Sequence, residues 1–261
     1  MKAHRIFGVV LRYSYTLKHS LDRLVDVFYW PLIDLLLFGL TAVYFTKYAP
    51  DAPTLVLMLI AGLLFWLVIW RGQYEVTIHL LEDMWNRNLL HLFVAPLKLS
   101  EWLVSVMLMG LIKAVISFSF TAALAYVFFK ANILVVGWAL LPFAFLLTIF
   151  GWTIGTLISG IVLRFGTKVQ ALCWTLGLAL APFSAIYYPL STLPDWAQQI
   201  AVFIPTSYIF EGVREVILTG QVDAHKLLIS AALSAVFFTL AIIFFYRSFK
   251  KLLRKGLVKA Y

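Results

Sequence analysis

Charge is scarce in this chain, and cysteine is almost absent. Of 261 residues only 13% are Asp, Glu, Lys or Arg, about half the roughly 25% of a soluble domain. Apolar residues make up 63%, and the mean hydropathy is +0.94. A water-facing domain of this length cannot hide that much apolar surface in one core. A soluble enzyme or soluble binding module is therefore excluded, and the chain reads as an all-α integral membrane protein. The single cysteine, Cys173, excludes an intrachain disulfide. It lies in an apolar run and reads as a small, inert hydrophobe.

Several chemistries are missing outright. There is no Gly-x-x-x-x-Gly-Lys-Ser/Thr loop to cradle a nucleotide, no His-Glu-x-x-His helix and no Gly-x-Ser-x-Gly elbow. The five histidines, at 4, 19, 79, 91 and 225, show no metal-ligand spacing. No catalytic residue and no metal site is expected in this chain. Residues 1–27 carry Lys2, Arg5, Arg12, Lys18, Asp22, Arg23 and Asp26 without a small-residue cleavage site, so no removable leader is expected. Period-two alternation is also absent, which excludes a transmembrane barrel.

What is present is a series of long apolar runs. A helical span needs about 20 mostly apolar residues. Six runs qualify: 28–45; 54–70, stopping at Arg71; 102–129, interrupted only by Lys113; 133–163, long enough to tilt or break; the run after Lys168 to Tyr188; and 227–246. Lys47, Pro50, Asp51 and Pro53 mark the end of the first. Residues 1–26 carry Ile6, Val9, Val10, Tyr13 and Leu17 at helical spacing beside basic residues, the pattern of a helix lying along the interface. Residues 189–220 are apolar in patches but broken by Pro189, Pro194, Asp195, Pro205 and Glu211, which suits short re-entrant or outer-face helices. The whole of 1–261 reads as one membrane domain.

The formal charge is +9. The basic residues gather at span ends, so anionic lipid rather than nucleic acid is the counterpart. Most of the 21 lie in the first 25 residues, in the 73–101 connection and its edge, at Arg164 and Lys168, and in the basic tail 247–261. The opposite side holds Asp195, Glu211, Glu215 and Asp223 against Arg214. The positive-inside bias places both termini in the cytoplasm and the protein in the inner, cytoplasmic membrane.

Charges inside apolar runs are the candidate functional residues. Asp34 and Lys113 either pair with each other or face a substrate cavity separately; burial and snorkelling are the structural alternatives. Glu211, Arg214 and Glu215 lie at i, i+3 and i+4 of a short helix, as local stabilisers or as a gate. Tyr187, Tyr188, Phe203, Tyr208 and Phe210 crowd the same region, either lining a path for an amphipathic molecule or sugar chain or forming an interfacial belt. Trp30, Trp70, Trp102, Trp138 and Trp196 read as interfacial anchors. Gly151-Trp-Thr-Ile-Gly155 is a spacing that permits close helix approach. In the long connection 73–101, Leu80, Leu81, Trp85 and Leu89 stand amid Glu82, Asp83 and Arg87, an apolar surface with a charged rim suited to docking a partner.

Three segments carry a resemblance: the amphipathic N-terminal helix; Leu80-Leu-Glu-Asp leading to Ala95-Pro-Leu-Lys-Leu-Ser-Glu101; and Tyr188-Pro-Leu-Ser-Thr-Leu-Pro-Asp-Trp-Ala-Gln-Gln-Ile200 followed by Ile204-Pro-Thr-Ser-Tyr-Ile-Phe-Glu-Gly-Val-Arg214. With these, nearly the whole chain resembles the permease subunits of ABC-2 type exporters. Pro96-Leu-Lys-Leu-Ser100 departs from the family's usual Pro-Leu-Ser turn, so docking is expected to differ in detail. The resemblance implies a permease dimer, of this chain with itself, bearing separate nucleotide-binding ATPase subunits that hold ATP and Mg. It implies an ATPase-coupling role for Glu82, Asp83, Trp85 and Arg87, and a central route bordered by spans one, two and five. The substrate it implies is amphipathic, lipid-linked, glycan or drug-like. An ion-coupled transporter using Asp34 and a non-transport membrane scaffold are the competing readings.

Overall fold

The computed structural model describes residues 1–46, 52–89 and 96–255, and every regular element among them is helical. The expected turn at Lys47, Pro50 and Asp51, residues 90–95 of the connection after the second span, and the end of the basic tail at 256–261 lie outside the described residues.

The N-terminal helix, α1 (Ala3–His19), ends at Ser20, whose extended backbone breaks the chain direction. The first span therefore starts earlier than its apolar run suggests. It begins with a short turn, α2 (Leu21–Leu24), passes through a π-helical turn at Val25–Tyr29 and continues as α3 (Trp30–Thr46). The π turn widens the helix and exposes carbonyls to outside donors. Two are used: Arg71 donates to the Asp26 carbonyl, and the Ser117 hydroxyl donates to that of Val27 at 2.8 Å.

The second span does not stop at Arg71. One unbroken helix, α4 (Ala52–Trp85), runs straight through it. Expected loop residues such as Gln73, Glu75, Leu80 and Leu81 are buried helix residues. The third span is α5 (Leu99–Phe129). The fourth breaks near its start, as its length suggests. A 3₁₀ segment at Ile133–Ala139 is kinked at Gly137 (φ 64°), a left-handed backbone that favours glycine, and leads into α6 (Leu140–Phe165). The run after Lys168 is shorter than expected: α7 (Leu172–Leu180) passes into a 3₁₀ turn at Ala181–Ser184. Two helices follow, α8 (Asp195–Ala201) and α9 (Pro205–Thr219). The last, α10 (Ala224–Lys255), continues as helix through Arg247, where a tail had been expected.

Among the described residues, five stretches are long and apolar enough to cross a bilayer: Leu21–Phe45, Thr54–Trp85, Leu99–Phe129, Ile133–Val169 and Ala224–Arg254. Leu172–Ser184 is apolar but shorter.

α4 is the centre of the bundle and packs against α3, α5, α6 and α7. Its contact with α6 is backbone-close, as the Gly151/Gly155 spacing predicts. A Cβ on Gly151 would stand 2.6 Å from the Ile69 carbonyl oxygen, and one on Gly155 2.7 Å from that of Gln73. Only glycine admits that approach. Small residues at such contacts replace the hydrophobic drive that lipid removes between helices.

Candidate functional site

α4 carries Leu63, Trp66, Leu67, Trp70, Arg71 and Tyr74 in an i, i+3, i+4, i+7, i+8, i+11 pattern, so they share one face. Trp30, Pro31 and Asp34 on α3, with Asp26 from the π turn, stand opposite. Trp174 and Leu178 on α7 form another wall, and Thr121 of α5 completes it. The space between them is a cavity of about 430 Å³, within the range of small-molecule sites, roughly 300–1,000 Å³. From Leu63 to Tyr74 it follows α4 for about 16 Å at 1.5 Å per residue, about half the hydrocarbon thickness. Four of the nine tryptophans line it. Trp30 and Trp70, expected as interfacial anchors, are among them.

The position of Trp174 is fixed from behind. The Gln73 side-chain amide, fully buried, donates to the Cys173 carbonyl at 2.8 Å, and Gly177 leaves room for that amide on the next turn of α7. Cys173 is buried beside this contact, as its apolar setting suggested.

The two charged positions on the α4–α3 seam differ in kind. Arg71 is buried and committed. Its Nη1 lies 2.5 Å from an Asp26 carboxylate oxygen, and its Nη2 donates to the Asp26 carbonyl. Asp34 is half-buried in the cavity wall, and among the described residues no hydrogen bond or ion pair reaches its carboxylate. At the middle of a span an aspartate costs about 2.5–3.5 kcal/mol by insertion scales. Tyr187 stacks on Phe38, one turn beyond Asp34, with ring centroids 4.7 Å apart. Burial, and secondarily the Asp34 charge, pushes its phenol well above the ordinary tyrosine range.

Lys113 does not meet Asp34. It donates to both oxygens of Glu75, each at 2.7 Å, deep between α5 and α4. His79 Nε2 is 3.0 Å from the same carboxylate, and Tyr13 of α1 stacks on the His79 ring with centroids 3.8 Å apart. The Tyr13 hydroxyl donates to Asp83 (3.0 Å) and accepts from the Trp102 indole (3.3 Å). Burial and the neighbouring Asp83 carboxylate raise the Tyr13 phenol far above its usual value. Arg12 adds a 2.9 Å bond to Asp83, and Arg23 pairs with Glu82. The amphipathic α1 is thus fastened along α5 and the end of α4.

The expected docking residues divide accordingly. Asp83 is buried and Glu82 half-buried, both engaged by basic residues of the N-terminal region. Trp85 is exposed and donates to Gln170 at 3.1 Å; Arg87 is exposed, at a left-handed turn (φ 53°).

Beyond α7, Arg214 holds a corner. It bonds Glu211 at 2.7 Å and donates to the Tyr188 carbonyl at 2.7 Å and to the Ala185 carbonyl. Glu211 also accepts from the Leu190 backbone N–H at 2.8 Å. Desolvation lowers the Arg214 pKa, and the Glu211 charge opposes that shift. The Tyr188 hydroxyl donates to the Pro182 carbonyl (2.6 Å) and that of Tyr208 to the Val202 carbonyl (3.0 Å). Phe203 is largely exposed and borders a second, more apolar hollow between α6, α8 and α10. None of Tyr188, Phe203, Tyr208, Glu211 and Arg214 lines the Asp34 cavity.

The sequence reading missed Trp66, Tyr74 and Trp174 as cavity residues, and Asp26, Glu75 and His79 as partners. The signal available was Trp66, Trp70 and Tyr74 at i, i+4 and i+8. That pattern crosses Arg71, where hydropathy ends the span, so a count of apolar runs divides it.

The chain is a multi-pass helical membrane protein whose shorter later helices α7 and α9 pack on the central span α4. The chain matches the ABC-2 type transporter family over residues 23–218, and it belongs to that family. Its general role is therefore membrane transport as an ABC-2 permease, and the family implies pairing with a nucleotide-binding ATPase subunit. Comparison with curated protein sequences gives no match.

Proposed function

We propose that this chain is the membrane-spanning subunit of an ATP-driven exporter, and that the cavity between α3, α4 and α7 belongs to the route its substrate takes. The observation that carries the reading is the coincidence of family membership with an aromatic-lined cavity formed by the first, second and fifth apolar segments. Both termini lie in the cytoplasm, following the basic bias. α1 lies along the cytoplasmic interface, its exposed Phe7, Leu11 and Tyr15 turned to lipid. Leu172–Ser184, about 20 Å long as helix, makes the fifth of six crossings, with residues 185–220 folding back at the outer face. A second copy of the chain completes the permease.

ATP and Mg are held by separate ATPase subunits, which dock on the cytoplasmic end of α4 and the connection after it. Trp85 and Arg87 offer the contact surface, while Glu82 and Asp83 relay movement because they bind α1 and the base of the first span. Closure of the ATPases would then shift the population of permease states through these ties. The substrate is an amphipathic molecule. The test is co-purification with a candidate ATPase and measurement of ATP hydrolysis in proteoliposomes. Hydrolysis is expected to rise with the permease present, and substitution of Trp85 and Arg87 by alanine is expected to weaken binding. An ATPase that neither binds nor responds would remove the reading.

A further inference from the structure

We propose that the Asp34 cavity selects an organic cation: a monovalent positive head on an aromatic or alkyl body. This rests on the reading of that cavity as part of the substrate route. The charges around it leave one carboxylate over. Arg71, the basic residue of the lining, is committed to Asp26 through both its carboxylate and its carbonyl. Asp34 has no such partner among the described residues, and it faces space rather than protein. Two further cations near this face are also committed, Lys113 to Glu75 and Arg23 to Glu82.

The walls match the charge. Trp30, Trp66, Trp70, Tyr74 and Trp174 surround the same space, and Trp70 and Tyr74 stack on each other with ring centroids 6.1 Å apart. Aromatic faces attract a desolvated cation through their quadrupole, and a quaternary or otherwise diffuse charge suits them best because it gives up little hydration. A neutral sugar would stack on these rings but leave the carboxylate without a counter-charge. An anion would meet net negative charge in a site of low dielectric. A cation bound between these rings would neutralise Asp34 and fill a volume of drug-like size.

The test uses the full chain in phosphatidylcholine nanodiscs, without any ATPase, and two probes of nearly equal size and shape. Tetraphenylphosphonium is the cation and tetraphenylborate the anion. Equilibrium dialysis against empty nanodiscs removes partition into lipid. Saturable tetraphenylphosphonium binding is expected, with tetraphenylborate at least about tenfold weaker. Asp34→Asn is expected to weaken the cation about tenfold, roughly 1.4 kcal/mol, and to narrow the gap between the probes. If the variant does not fold, the comparison of the two probes on the unaltered protein decides alone. Equal binding of both probes, no saturable binding of the cation, or undiminished binding by folded Asp34→Asn would each overturn the assignment. The permease reading stands or falls separately, on ATPase association and stimulated hydrolysis.

Discussion

The Lys113 ammonium lies 2.7 Å from both carboxylate oxygens of Glu75, with both side chains buried between two membrane-spanning helices. Each charge is tolerable there because of the other. Removing one partner leaves an uncompensated buried charge, which costs about 3–5 kcal/mol. Glu75→Gln and Lys113→Met should each lower the melting temperature of the purified protein sharply, while the double variant recovers most of the loss. Additive losses in the double variant would show that the pair is not coupled.

The Tyr13 hydroxyl joins Asp83 to Trp102 and so fastens α1 to α4 and α5. Tyr13→Phe should cost about 1–2 kcal/mol, the price of a lost buried hydrogen bond, and speed proteolysis of residues 1–19. Its phenol is raised above its ordinary value near 10. By linkage, its contribution is complete below pH 10 and fades as the pH climbs towards the raised value. The melting difference between wild type and Tyr13→Phe should therefore be constant from pH 6 to pH 9 and shrink at strongly alkaline pH. A difference that grows with alkalinity would contradict the bond.

Gly151 and Gly155 let α6 touch the α4 backbone. Gly151→Val would drive side-chain atoms into the Ile69 carbonyl, and overpacking of this kind costs about 1–3 kcal/mol or more. The expected result is a fall in monodisperse protein on gel filtration. Gly137→Ala is the contrasting control: a Cβ there meets nothing, although the residue's positive φ adds local strain. If Gly151→Val purified as well as wild type, the close α4–α6 contact would be in doubt.

Arg214 ties α9 to the carbonyls of Ala185 and Tyr188 as well as to Glu211. A lysine offers one point charge instead of a planar fork, so Arg214→Lys should still loosen the corner. Limited proteolysis should then cut within residues 186–194 several-fold faster than in wild type. Unchanged cleavage would show that the Pro-rich turns hold the corner without it.

Much of the fold was legible from hydropathy. The first, third, fourth and last apolar runs are spans, the fourth breaks near its start, and the glycine pair marks a close contact. The fifth run is shorter than hydropathy predicts because its helix ends in the 3₁₀ turn at Ala181–Ser184; the second is longer, for a different reason. Hydropathy ends a span at a charged residue because an isolated charge in lipid is expensive. Arg71 is not isolated: Asp26, 45 residues away in sequence, meets it. Likewise Lys113 finds Glu75 38 positions away, and not Asp34.

The amino-acid order alone determined that the chain is a helical membrane protein, because continuous apolar runs with basic ends have few other stable solutions. It also determined which residues share a helix face, since that follows from a 3.6-residue turn. Only the tertiary structure decided which intramembrane charges are matched and which is left over. Pairing depends on how separate helices rotate and slide against one another, and spacing within one helix carries no record of that.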